Sequence, residues 1–380
     1  MSSNAIPTFS FWEKQFYSKS DFVIVGNGIV GLQCAIHLKD KYPHREVWVV
    51  DRAPASLGAS MRNAGFACFG SMGEILDDTK NTNAQNAYAL YEKRFKGIGL
   101  LKQDFGETEI GYEKTGGYEI FEKENQSELD AILLKIEEIN QALEPITGEK
   151  PFQPKPTAKL GMQVLETGIF TPHEGALQTH LLYNRIYTKC IEKGIKIFGG
   201  ITVTGFEALP KKHWKILNAE GYPLQTKNAI ICTNGFTKTL FPEIEVNPAR
   251  GQILVTSPIP GLAWRGLMHA DKGYIYFRSL GTRILIGGAR NMDFINETTT
   301  DLNISDPIYN RLVQFLREIV VPNEPFEITD TWAGTMGMAA DRTPIVRQIH
   351  PGMFACVRMG GMGVALSAVV SRELASLTSD

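Results

Sequence analysis

The sequence predicts an α/β fold of two interleaved lobes, one organised around a βαβ unit and the other an α+β lobe on a mainly antiparallel sheet. Three observations carry this. A short apolar run, a Gly-rich turn, a helical pattern and a second apolar run follow one another over residues 21–51. Two-residue alternation dominates 251–288, the period of a strand with one buried face. A second Gly-rich turn at 360–363 leads into an apolar helical stretch at the end of the chain. The chain has 380 residues, and one core rarely grows past about 250–300 residues. Two lobes are therefore expected, the first and last segments sharing one of them.

Taken in order, Asp21–Val25 is a buried parallel strand, β-branched and bounded by Gly. Val30, Cys34, Ala35 and Leu38 share a helical face, and Glu46–Val50 is the second strand, ending at Asp51. Residues 84–100 and 128–143 read as helices, the latter from Leu129, Ile132, Leu133, Ile136, Ile139 and Leu143, with a strand over 117–121 between them. Pro151 to Pro156 reads as a connector. Leu177, Leu181, Ile186, Cys190 and Ile191 mark a helix closed by Lys193-Gly194. Short strands follow at 195–198, 202–206, 214–217 and 229–232. Helices over 307–320 and from Gly363 to about Leu377 complete the reading. The expected division gives 1–90, 176–245 and 335–380 to the first lobe and 91–175 and 246–334 to the second.

Composition excludes several classes. Hydrophobic residues make up 43% and charged residues 21%, an ordinary globular balance rather than a disordered one. The 39 Lys plus Arg against 41 Asp plus Glu give a net charge of −2 and no basic run, which argues against a nucleic-acid partner. Cys34, Cys68, Cys190, Cys232 and Cys356 are scattered and odd in number, with no CxxC pair. This points to a reducing compartment, not a disulfide framework or zinc site, and no metal is expected. The first sixteen residues lack a basic stretch followed by an apolar one. The uncharged run from Phe22 is cut by glycines, so no membrane span is read and a cytoplasmic location is expected.

The strongest local signal is Gly26-x-Gly28-x-x-Gly31 between strand and helix, with Asp51 twenty positions beyond Gly31. The first Gly permits the turn, the second lets the backbone approach a pyrophosphate, and the third lets helix and strand pack closely. The helix start, at Ile29 and Val30, offers free N–H groups and the positive end of its dipole to phosphates. Asp51 can accept from ribose hydroxyls, with Arg52 beside it. The lobe is therefore Rossmann-like and binds a dinucleotide, and the motif by itself leaves FAD and NAD open.

Gly58-Ala-Ser-Met-Arg-Asn-Ala-Gly-Phe66 follows the second strand closely. This stretch resembles that of the FAD-dependent amine and D-amino-acid oxidoreductases, which include glycine oxidase, sarcosine oxidase and γ-glutamylputrescine oxidoreductase. Matching stretches follow in order: Ile230–Phe236 with its Thr-Asn-Gly turn, Pro248–Gln252, Trp332-Ala-Gly334, Asp341, Pro344 and Arg358–Val364. The resemblance spans nearly the whole chain and is loose from about 90 to 170. It implies FAD lying along Ser60, Arg62, Asn63, Ala64 and Gly65, with Val203, Thr233, Asn234 and Gly235 near the dinucleotide and Gly334 near the flavin. Gly360, Gly361, Met362, Gly363 and Val364 are implied at the flavin pyrimidine edge, where backbone donors at a helix start stabilise the reduced, anionic ring.

In Gly273–Arg278, alternation puts Tyr274, Tyr276 and Arg278 on one face. The resemblance implies that Arg62, Tyr276 and Arg278 hold the substrate, an Arg fork matching a carboxylate. His269 and His173 are weaker candidates. Cys68 and Cys232 are read as small buried residues, and Met336, Met338, Met359 and Met362 as either pocket or core. Three departures matter. No Arg follows Trp332-Ala-Gly334, where glycine-oxidase-like members carry their carboxylate clamp. No Cys stands at Gly334 or Thr335, and no His within 60–66, so FAD is expected to be non-covalent.

The implied reaction is oxidation of the C–N bond of an amine or amino acid. A hydride passes to flavin N5 and the imine hydrolyses, with no dedicated base if the amine binds neutral. The alternatives are an FAD-dependent dehydrogenase of a 2-hydroxy acid or polyol, a flavoprotein acting on a modified nucleic-acid base, and an FAD-binding protein without turnover. The electron acceptor and oligomeric state are not readable.

Overall fold

The computed structural model describes residues 8–54 and 56–379. The part of the leader reading that concerns residues 1–7 lies outside them. The first sheet runs Ile345–His350, Met353–Val357, Gln225–Ile231, Lys19–Val25, Val47–Asp51, Lys196–Gly199. From Met353–Val357 to Lys196–Gly199 neighbours are parallel, and Ile345–His350 returns antiparallel. The hairpin Val203–Leu209/His213–Asn218 adds to Gln225–Ile231. Val23, Ile24, Val49 and Val50 are fully buried because helices pack on one face and this hairpin with Phe241, Ile244 and Val246 on the other.

The helix Ile29–Lys41 leaves the first strand through the glycine turn, as its spacing predicts. The helix Ala84–Phe105 is longer than the 84–100 expected, starting at an Asn83 cap that accepts from the Asn86 N–H. Gly97 lies where this helix crosses Gly363–Leu377, against the Ala365 carbonyl, so the close crossing depends on a missing Cβ. The lobe boundary expected at 90/91 thus falls inside a continuous helix, and the one at 334/335 inside the strand Ile328–Met338. Neither is a linker.

The second sheet runs Ile328–Met338, Asn247–Thr256, Arg283–Gly288, Ile275–Leu280, Leu267–Ala270, Gly117–Glu119, Thr167–Thr171, Gln153–Pro156. It is antiparallel except where Leu267–Ala270 meets Gly117–Glu119. The helix Asp306–Phe315 covers one face with Ile308, Leu312 and Phe315, and a π turn, Leu316–Val320, completes the stretch expected as one helix.

Three element readings are corrected. Residues 153–156 form a strand, not a connector; it is the sheet edge, where Pro154 and Pro156 need donate to no neighbour. In Thr179–Glu192 the inward residue is Leu182 rather than Leu181, Leu177 precedes the helix, and Ile191 is 52% exposed. The strand 225–231 stops before Cys232, which is half-buried.

Candidate active site

A cleft of about 760 Å³ is lined by both sheets, from the 25–30 turn through the 58–68 segment to Tyr274, Tyr276 and the start of the last helix. That is within the range of about 300–1,000 Å³ usual for ligand and cofactor sites.

At one end Gly26 and Gly31 take the turn and packing positions that their spacing predicts. Gly26 has φ 118°, and a Cβ there would stand 2.6 Å from the Cys232 carbonyl oxygen. Gly31 does not reach the cleft; it packs against the Gly26 carbonyl, which lets helix and strand touch. Gly28 caps the helix with no side-chain hydrogen bond of its own, and the Ile29 N–H donates to Ser60 Oγ at 2.9 Å, which leaves the Val30 N–H free at the wall. Asp51 accepts from the Asn27 and Ala53 N–H groups at 2.9 Å each, pinning the turn while its remaining lone pairs face the cleft. Arg52 lies over the Phe236 ring at 4.0 Å. Val203, Thr233 and Asn234 line this end; Gly235 does not, being packed against the Met336 carbonyl.

At the other end Gly360 (φ 57°) and Gly361 (φ 81°) turn the chain into Gly363–Leu377, whose N-cap Met362 offers no side-chain partner. The cleft is therefore met by a second uncapped helix start at Gly363, Val364 and Ala365. Met336, Met338, Met359 and Met362 all line it, and Cys68 Sγ lies 3.7 Å from Met362 Sδ. Burial pushes the Cys68 thiol well up, away from redox reactivity.

Between the ends, Ala64 and Gly334 line the wall, and Asn63 spends its side chain on the local turn. Its amide donates to the Ala59 and Ser60 carbonyls and its oxygen accepts from the Gly65 N–H. Arg62 donates to the Ala333 carbonyl at 2.7 Å and Trp332 to the Arg62 carbonyl at 3.0 Å, tying this segment to the second sheet.

The structure corrects one expected substrate residue. Arg278 is 4% exposed, does not line the cleft, and donates through Nη1 to the Gly65 and Leu177 carbonyls. It shares a face with Tyr276, but the rise of about 6.6 Å over two strand residues carries it beneath the Gly65 turn. Gly65 likewise packs on Leu177 and Arg278 rather than facing the cleft. Tyr276 is at the wall; its hydroxyl fits over Gly251 and Gly287, and burial holds it up at about 12. His173 lies outside, against Phe95 and 3.4 Å from Glu149.

His269 does line the cleft. Its Nε2 is 2.8 Å from Glu174 Oε2, with both residues buried. Burial alone would push this imidazole down; the Glu174 carboxylate outweighs it and holds the group at about 9, protonated at neutral pH. Behind it, burial raises Glu119 to about 7, against the Ser71 hydroxyl and Gly73 N–H that donate to it. Neither Glu119 nor Glu174 is marked by any short motif; the parallel pairing of 117–119 with 267–269 brings the first of them here. Because Glu119 is raised above its usual value, it favours folding below about 4.5 and loses that contribution as pH rises through about 7. Glu119→Gln is expected to gain on the parent by up to about 3 kcal/mol across that window, checked by denaturant unfolding at pH 4.5 and 8.

The cleft fits FAD. It offers uncapped helix starts at both ends, a glycine cradle that a Cβ would fill, and Thr335 Oγ1, buried at the wall with no hydrogen bond among the described residues. Comparison with known proteins agrees. The "Probable oxidoreductase OrdL" of Haemophilus influenzae is 20% identical over 370 residues, covering 94% of this chain and 82% of that protein. The glycine oxidase of Geobacillus kaustophilus superposes with a TM-score of 0.73 at 18% identity, covering 95% of this chain and 94% of that one. The FAD-bound L-α-glycerophosphate oxidase of Mycoplasma pneumoniae gives 0.72 at 15%, covering 95% and 94%. The profile of the DAO family, described as FAD dependent oxidoreductase, matches residues 21–377. With that match the chain belongs to the DAO family: it is an FAD-dependent oxidoreductase.

Proposed function

We propose that the protein oxidises the C–N bond of a small amine or amino acid, with the imine hydrolysed afterwards. Fold alone does not choose the donor, since a glycine oxidase and a glycerophosphate oxidase share it. The observation that favours an amine is the state of the groups on the wall. Taking a hydride from an alcohol carbon needs a base for the hydroxyl proton. His269 is held protonated by Glu174, Tyr276 stays protonated to about 12, and Glu74 lies 3.8 Å from Arg342 and accepts from the Ser71 N–H. A neutral amine needs no such base, because its lone pair drives hydride departure.

When bound, FAD supplies the hydride acceptor. The residues proposed to hold it are those of the two helix starts, the 58–64 segment, Asp51, Arg52, Val203, Thr233, Asn234 and Gly334. The donors at 363–365 favour charge on the reduced ring, Tyr276 orients the substrate, and the methionines keep water out. FAD is proposed to be non-covalent, and the lobes to divide broadly as expected, with crossings in loops near 106–117 and after Met338. A cytoplasmic location is proposed from the five free cysteines; no helix among the described residues is long and apolar enough to cross a membrane. No nucleic-acid partner is proposed.

The test is turnover of amines and 2-hydroxy acids with an artificial dye as acceptor, trapping the carbonyl product and released nitrogen. Carbonyl and amine or ammonia formed one to one from the amines is the expected result. Turnover of hydroxy acids alone would sink the proposal.

A further inference from the structure

The hairpin Ile275–Leu280/Arg283–Gly288 leads into Arg290, whose guanidinium no described residue hydrogen-bonds. Ile275 pairs with Gly288, and the Ala289 N–H donates to the Tyr274 carbonyl at 2.6 Å, so residues 274 and 289–290 lie side by side. Gly288 (φ 110°) and Ala289 (φ 58°) then turn the chain and present Arg290 to the cleft. The Arg290 guanidinium sits 5.6 Å from the Tyr274 ring and 5.0 Å from the Phe294 ring. It makes no hydrogen bond or ion pair among the described residues.

The other cations on this wall are engaged or at the rim. Arg342 lies 3.0 Å from Asp78 and 3.3 Å from Asp77; Arg62 donates to the Ala333 carbonyl; His269 has Glu174; Lys272 is exposed. Burial lowers the Arg290 pKa, and Glu297, a carboxylate already held by Arg250, offsets that desolvation cost only in part. The two rings lie at cation–π distance and take none of its N–H donors, which leaves the guanidinium fork for a planar oxyanion.

We propose that Arg290, flanked by Tyr274, binds a carboxylate of the substrate, so that the substrate class is a carboxylate-bearing amine. This rests on the amine-oxidation reading and supplies a clamp from a different strand than the one following Trp332. A monoanion fits better than a phosphate dianion, because Glu74 stands on the same wall.

Two measurements on the FAD-loaded full chain test it. First, acetate, propionate and inorganic phosphate are titrated while the flavin absorption bands are followed. Saturable perturbation by the carboxylates is expected in the parent, weakened about 100-fold in Arg290→Met. Second, kcat/KM is compared for amino acids and their carboxamides; the preference for the acid is expected to collapse about 100-fold in Arg290→Met and to recover in part in Arg290→Lys. Retained flavin bands certify each variant as folded, and Arg290→Lys carries the test alone if the Met variant is not. Perturbation by phosphate only, or an unchanged acid preference in both variants, overturns the proposal. Arg290-dependent carboxylate binding without flavin reduction by any amine would uphold the anion site and overturn the amine reading. Equal reduction by acids and carboxamides would do the reverse.

Discussion

Gly26→Ala is expected to yield a protein that no longer retains FAD. The new Cβ would stand 2.6 Å from the Cys232 carbonyl, a backbone atom held in the strand connection, at a φ of 118° that L-residues rarely adopt. Strain of that kind costs of order 1–3 kcal/mol before the clash is counted. It falls on the turn that presents the helix start and its Val30 donor, so the loss is expected in cofactor affinity, by about 100-fold or more. Gly99→Ala is the contrasting substitution. Gly99 is exposed within the helix Ala84–Phe105, and nothing lies within 4 Å of the added atom. It is expected to bind FAD like the parent and to gain about 0.5–1 kcal/mol of stability from helix propensity. Flavin absorbance per mole of protein, with denaturant unfolding beside it, checks both.

The second large effect is expected at the buried His269–Glu174 pair. Glu174→Gln removes one partner of a desolvated ion pair, which costs about 3–5 kcal/mol. The pH dependence identifies the cause. His269 is raised from 6.5 to about 9 in the folded protein. Its contribution is therefore complete below about 6.5 and disappears as pH rises through about 9, amounting to about 3 kcal/mol. Unfolding of the parent at fixed excess FAD is expected to show this fall in stability between pH 6.5 and 9.5, and Glu174→Gln to show a flatter profile. An equal slope in both proteins would mean that the pair is not charged.

Much of the nucleotide end was legible because its chemistry is local. A tight turn, a close backbone approach and a helix start must be contiguous, so Gly26, Gly28, Gly31 and Asp51 stand at readable spacings. The last helix was legible for the same reason, down to its start at Gly363. The substrate wall was not. Arg278 shares a strand face with Tyr276, and alternation alone cannot say how far along the strand the cleft extends. Glu174 and Glu119 reach His269 and its surroundings through tertiary pairing across more than ninety residues of chain, which no window detects. Arg290 has no motif; only the hairpin register that sets it beside Tyr274 reveals it. The edge strand 153–156 was hidden by its prolines, which mark a connector unless the neighbouring strand is known.

Amine oxidation is tested most directly by the visible spectrum of the purified FAD-loaded protein, recorded anaerobically while amines, amino acids and 2-hydroxy acids are added in turn. The flavin bands are expected to bleach with a carboxylate-bearing amine and to stay unchanged with the hydroxy acids. Bleaching by hydroxy acids alone, or flavin bands that no amine bleaches, would contradict amine oxidation.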